Sequence, residues 1–135
     1  MPLEIMPVYA GLLALLFAAL SLQVIRNRIR ARVSIGAGGD RILQRAMRVH
    51  GNFAEYVPLI LILIGAAELM GTEGWVLHLL GASLFIGRIL HAIGLGREPD
   101  RFRYRRFGIY LNHACLIGAA VLCLFLSISR TVAAA

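Results

Sequence analysis

Residues 41–58 read Arg41-Ile-Leu-Gln-Arg45-Ala-Met-Arg48-Val-His50-Gly-Asn52-Phe-Ala-Glu55-Tyr56-Val-Pro58, and the chain then stays apolar to Met70, interrupted only by Glu68. At about 100° per residue of α-helix, Arg41, Arg45, Arg48, Asn52, Glu55 and Tyr56 fall within an arc of roughly 100°, and His50 falls on the opposite side. A polar stripe of this kind, running down into an apolar segment of membrane length, describes a helix that enters a bilayer with one face turned from lipid. Glu55 facing hydrocarbon would be costly, so the stripe must face protein or a water-filled cavity and find a partner there. Pro58 removes a backbone donor just below it and marks a place for a kink.

Three further apolar runs lie to either side: Pro7–Ile25, Trp75–Leu95 and Phe107–Ile128. Each approaches the ~20 residues that a helix needs to span hydrocarbon, and none alternates with the period of a barrel strand. The expected architecture is all-α, a single membrane domain over residues 1–135 with four transmembrane helices at about 7–25, 41–70, 75–95 and 105–128. Composition agrees. Of the 135 residues 59% are hydrophobic and 16% charged, with a mean hydropathy of +0.77, whereas a soluble domain carries about a quarter charged residues. A soluble bundle would also need a polar face on every helix, and the first and last runs have none. Disordered, collagen-like and disulfide-stapled chains are excluded on the same composition. The first run has no basic residues before it and is longer than a signal-peptide core, so it is expected to stay as helix one.

All 14 basic residues are Arg, against seven acidic ones, for a net charge of +7. Seven lie between helices one and two (Arg26, Arg28, Arg30, Arg32, Arg41, Arg45, Arg48) and five between helices three and four (Arg97, Arg101, Arg103, Arg105, Arg106). The short connection Gly71-Thr72-Glu73-Gly74 has none. Basic loops stay cytoplasmic, so loops one and three are expected there and both termini on the far side. Membrane topology and the stripe account for these Arg, which leaves no nucleic-acid surface to explain. Ser34 to Gly39 is turn material and Asp40 a candidate N-cap, which starts helix two near Arg41. Cys115 and Cys123 stand eight residues apart on helix four, about 12 Å along its axis; they cannot pair and read as small buried hydrophobes.

Helix three holds a second polar pair: Arg88 and His91 share one face at i and i+3. A Glu55–Arg88 ion pair would satisfy two buried charges. One carboxylate cannot balance the several Arg of the stripe, however, and surplus planar bidentate donors call for an anion from outside the chain. Arg101, Arg103 and Arg105 alternate before helix four, with Asn112 two turns beyond; the same run suits anionic lipid headgroups equally well. His78, His113 and Glu68 have no partner by spacing. No metal-ligand cluster, nucleophile motif, phosphate loop or dinucleotide fingerprint is present.

The pattern R-x-x-x-N-x-x-E-Y-x-P, from Arg48 through Asn52, Glu55 and Tyr56 to Pro58, resembles the MAPEG family, membrane-associated proteins in eicosanoid and glutathione metabolism, in a bacterial-type form. Four helices, basic first and third loops and the chain length agree with it, and Gly87-Arg88-Ile89-Leu90-His91 is a weaker match on helix three. The resemblance implies a homotrimer in a bacterial inner membrane that binds glutathione as co-substrate between subunits. Arg48, Asn52, Glu55 and Tyr56 would hold the tripeptide, joined by Arg28, Arg88 and His91. An Arg before helix four would stabilise the thiolate: Arg105, or else Arg103. Relatives often carry a Tyr one turn past the His position; this chain has Leu95, so that contact is missing or comes from Tyr104.

Glutathione has two carboxylates, an ammonium group and a thiol, which suits an Arg stripe with one Glu and one Asn. Cationic donors lower a thiol's pKa from about 8.5 and raise the nucleophilic thiolate fraction. The expected activity is therefore a membrane glutathione transferase or peroxidase acting on lipophilic electrophiles. The alternatives are a non-catalytic lipid-binding or scaffold protein of the same family, and a purely structural role for the buried charges.

Overall fold

In hydrocarbon a backbone must satisfy its own hydrogen bonds, and an uninterrupted apolar run does so as a helix. The computed structural model, which describes residues 2–96, 99 and 101–134, has four: α1 (Met6–Ala31), α2 (Arg41–Leu69), α3 (Gly74–Gly96) and α4 (Phe102–Ala134). All four are long and apolar enough to cross a membrane, and no strand occurs among the described residues. The four expected spans are present, but their ends differ. α1 runs past Ile25 to Ala31, and α4 begins at Phe102 and reaches Ala134. Hydropathy marks only the hydrocarbon-depth part of a helix, and Arg, a good helix former, carries the coil on into water. Arg97 of the basic third loop lies outside the described residues.

The first connection is built as its residues suggest. Arg32 ends α1 in the left-handed region at φ 54°, and Gly36, Gly38 and Gly39 also take positive φ. Asp40 caps α2, its Oδ1 accepting from the Leu43 N–H at 2.7 Å, and it pairs with Arg30 at 2.7 Å. Arg28 bends back over the turn and donates to the carbonyls of Ser34 (3.2 Å) and Gly36 (2.9 Å).

The helices run up and down, so the α1–α2 and α3–α4 connections share one end of the bundle. Val49, Phe53, Val57, Ile60, Ile64 and Ala67 recur every three or four residues along α2 and form its buried stripe. Leu13 and Leu20 of α1, Leu77 and Leu84 of α3, and Cys115 and Ala119 of α4 close on it. α3 and α4 approach closely through glycine. A Cβ on Gly108 would stand 2.6 Å from both the Gly87 carbonyl oxygen and the His91 nitrogen, and one on Gly94 would stand 2.7 Å from the Arg105 Cα. α1 lies against α2 and α3 but does not touch α4 among the described residues. Its outer face, with Val8, Leu12, Leu15 and Leu22, is apolar and exposed.

The opposite end is tied by Glu68. Its carboxylate is 5% exposed and accepts from the backbone N–H groups of Glu4, Ile5 and Met6, each at 2.7 Å. It therefore caps α1, whose own N-cap residue Ile5 makes no side-chain cap bond. Glu68 and His78, without partners by spacing, thus have them in space: the Tyr9 hydroxyl lies 3.1 Å from His78 Nδ1. Both cysteines behave as hydrophobes, donating S–H to the carbonyls of Leu80 and Leu63.

Candidate functional site

The polar face of α2 is where the sequence put it. Phe53, Val57 and Ile60 turn into the core, which leaves Arg41, Arg48 and Glu55 exposed and Arg45, Asn52 and Tyr56 half-buried on the adjoining face. His50 points the other way, toward α1, stacked on Phe17 at 4.5 Å and 3.0 Å from the Ser21 hydroxyl.

Near the basic end this face meets the end of α3 and the start of α4. Arg41, Gln44, Arg45 and Arg48 line a cavity of about 250 Å³ together with Leu95 and Arg105. Two contacts set it. Arg45 donates to the Leu95 carbonyl at 3.1 Å, which satisfies an orphan acceptor in the last turn of α3. Gly94, having no side chain, lets the Arg105 backbone lie directly against α3. Arg105 and Arg48 are therefore held on one cavity although 57 residues separate them.

Deeper in the bundle the Glu55–Arg88 ion pair, the purely structural alternative for these two residues, does not form. Arg88, 2% exposed, donates instead to the Asn52 side-chain oxygen (3.0 Å) and backbone carbonyl (3.3 Å). Glu55 sits about one turn further along α2 and stays on the exposed face. Asn52 is the nearer acceptor at this helix register, and it lets Arg88 be buried without bringing in a second charge. Arg88 Nε and Nη2, and both side-chain polar atoms of Asn112, have no hydrogen-bond partner in the protein. A buried donor left unpaired costs free energy.

The remaining candidates separate. His91 is 3% exposed and packs its backbone against Gly108, inside the α3–α4 contact and away from the cavity lining. Arg28 is committed to the first connection. Arg103 and Tyr104 line a different cavity, with Leu90 and Phe107, on the other side of the α3–α4 pair. The two Arg expected before helix four, Arg103 and Arg105, lie within the first turn of α4 instead, because the helix starts at Phe102, and only Arg105 joins the α2 stripe. Asn112 and Glu68 are the buried polar groups that spacing undervalued; Asn112, noted only as two turns past Arg105, is 1% exposed. No group of metal-ligating side chains occurs among the described residues.

Four membrane-length helices around a buried guanidinium, with an Arg-lined cavity at one end, define a multi-pass integral membrane protein. The chain belongs to the MAPEG family, whose model matches residues 6–125. It is 39% identical over 109 residues to the inner membrane protein YecN of Escherichia coli K12, covering 81% of this chain and 82% of that one. The protein of the same name from Escherichia coli O6:H1 matches equally.

Proposed function

We propose that this protein is a membrane-bound glutathione transferase, with peroxide reduction by the same thiolate as a second outlet. The observation that carries the reading is the cavity in which Arg41, Arg45 and Arg48 of α2 meet Arg105 of α4. Guanidinium groups in this density suit a ligand with two carboxylates, each a planar bidentate acceptor. Glu55, roughly two turns down the same stripe from Arg48, is placed for the ligand's ammonium group, beside Asn52 and Tyr56. Arg88 acts through Asn52, fixing its side chain. At about 250 Å³ the cavity is below the range of ~300–1,000 Å³ usual for small-molecule sites. A neighbouring subunit of a homotrimer would supply the missing wall and cover exposed Glu55.

In this reading Arg105 is the thiolate partner. Its positive charge favours S⁻ over S–H, and the thiolate attacks an electrophilic carbon of a substrate that arrives through the bilayer. The new bond is C–S, and the leaving group departs with the displaced electron pair. The protein would reside in an inner membrane with the Arg-rich end toward the cytoplasm, the side favoured for basic loops.

One observation favours a second reading. Leu95 lines the cavity where the family resemblance leads one to look for a Tyr hydroxyl, which suits a non-catalytic lipid-binding or scaffold protein. Calorimetry and ultraviolet thiolate absorbance on the detergent-solubilised protein separate the two. Transferase function requires saturable glutathione binding, a thiolate band, and turnover of an aryl halide. Arg48→Ala and Arg105→Ala should each weaken binding about 10- to 100-fold, the worth of a hydrogen bond to a charged group. Absence of any thiolate band at saturating glutathione overturns it in favour of the scaffold.

A further inference from the structure

The largest cavity described is not the α2 cavity. It measures about 560 Å³, opens on the other side of the α3–α4 pair, and is lined by Leu90, Arg103, Tyr104 and Phe107. A second hollow of about 220 Å³ adjoins it through Arg103 and Phe107 and adds Arg106 and Tyr110. The two share Arg103 at their junction.

Depth in the membrane follows from helix length. α4 has 33 residues, about 50 Å, against a hydrocarbon core of ~30 Å. Its uninterrupted apolar part starts at Ala114, after Asn112 and His113, so the first turns, Phe102 to Tyr110, lie at headgroup level. Phe102, Phe107 and Tyr110 are more than half exposed there, which fits the aromatic belt of a membrane boundary. Arg106 is held ready rather than loose: its guanidinium lies 5.4 Å from the Phe102 ring centre and 5.8 Å from that of Tyr110, and it donates to the Tyr110 hydroxyl at 3.3 Å. Among the described residues no carboxylate lines either hollow.

We propose that this groove is a binding site for one anionic phospholipid per chain, in the leaflet on the α3–α4 loop side. The lipid phosphate sits between Arg103 and Arg106, and an acyl chain descends past Tyr104 and Phe107 against Leu90. Charge complementarity selects the occupant: two guanidiniums at phosphate depth above an apolar hollow favour an anionic amphiphile over a zwitterionic one, whose own ammonium offsets its phosphate charge. The site is separate from the proposed glutathione cavity, and its test does not depend on that function.

The protein is reconstituted in vesicles of phosphatidylglycerol and phosphatidylethanolamine, extracted in mild detergent, and weighed by native mass spectrometry. One retained phosphatidylglycerol per chain is expected, in preference to phosphatidylethanolamine. The double substitution Arg103→Gln/Arg106→Gln should reduce that retention about 30-fold, near fivefold for each charge removed at a membrane surface. Leu90→Trp, which fills the apolar hollow and keeps both charges, should also release the lipid, so the proposal stays testable if the double variant folds poorly. Arg26→Gln/Arg32→Gln removes equal charge from exposed positions at the C-terminal end of α1 and its cap, and should leave retention unchanged. Equal retention of the two lipids, or unchanged retention in the double variant and Leu90→Trp, overturns the proposal. So does a photocrosslinker at position 107 that captures a second copy of the chain instead of lipid, since the groove would then be a subunit interface.

Discussion

Substituting Gly108 by Ala tests the α3–α4 packing on which the Arg105 cavity stands. The added Cβ would lie 2.6 Å from the Gly87 carbonyl oxygen and from the His91 nitrogen, about 0.8 Å inside the 3.4 Å where ordinary contact begins. Both obstacles are backbone atoms of α3, so no side chain can rotate away and the helices must separate. Overpacking of this kind costs about 1–3 kcal/mol. The intrinsic gain of Ala over Gly in a helix offsets up to ~1 kcal/mol of it. Gly118→Ala on the same helix is the matched control, because its Cβ would meet only Leu80 Cδ2 at 3.8 Å. Unfolding in mixed micelles of increasing sodium dodecyl sulfate, followed by helical circular dichroism, should show Gly108→Ala less stable by about 1–2 kcal/mol and Gly118→Ala unchanged or more stable by up to ~1 kcal/mol. Should the two variants unfold within ~0.5 kcal/mol of each other, the close glycine contact is not what sets the α3–α4 distance.

The same contact has a functional arm: Gly94→Ala pushes the Arg105 backbone outward, and under the proposed function it should lower glutathione conjugation about tenfold or more while leaving helicity intact, since small displacements of positioned groups carry large rate penalties. Glu68→Ala removes the acceptor of the three amides Glu4, Ile5 and Met6 at the entry to α1 and should destabilise by about 3 kcal/mol, with Glu68→Gln near half of that because its amide oxygen can still take the two bonds made by Oε1; faster hydrogen exchange at the Ile5 and Met6 amides is the local readout. Asp40→Ala should cost about 1 kcal/mol through loss of the α2 cap, and Arg30→Ala much less, because the Arg30–Asp40 pair is solvent-exposed. Arg88→Met should lower glutathione affinity through loss of Asn52 positioning while preserving the fold, as an unbranched apolar side chain of similar length suits this buried place.

Much of this was legible locally. The polar arc on α2, the Asp40 cap, the turn glycines and the apolar reading of the cysteines each depend on residues within one helix or one loop, where spacing converts directly into geometry. What was not legible depends on register between helices. Glu68 meets amides more than 60 positions away, and no periodicity encodes that meeting. Arg88 was matched to Glu55 by charge, yet the α2–α3 register puts Asn52 opposite it. Arg103 and Arg105 look alike in sequence, and only the position of α4 on α3, fixed by Gly94 and Gly108, turns one to each side.

The cap that Glu68 places on α1 also bears on how the chain is made. α1 leaves the ribosome before α2, with the amides of Glu4, Ile5 and Met6 still lacking their acceptor. Their partner is encoded at the far end of α2, so α1 reaches its final state only after the second helix has been delivered. The first two helices are in this sense a single insertion unit, a hairpin closed by one carboxylate. Loss of that carboxylate should be felt first by the machinery that inserts and surveys nascent membrane proteins, before any effect on the finished one.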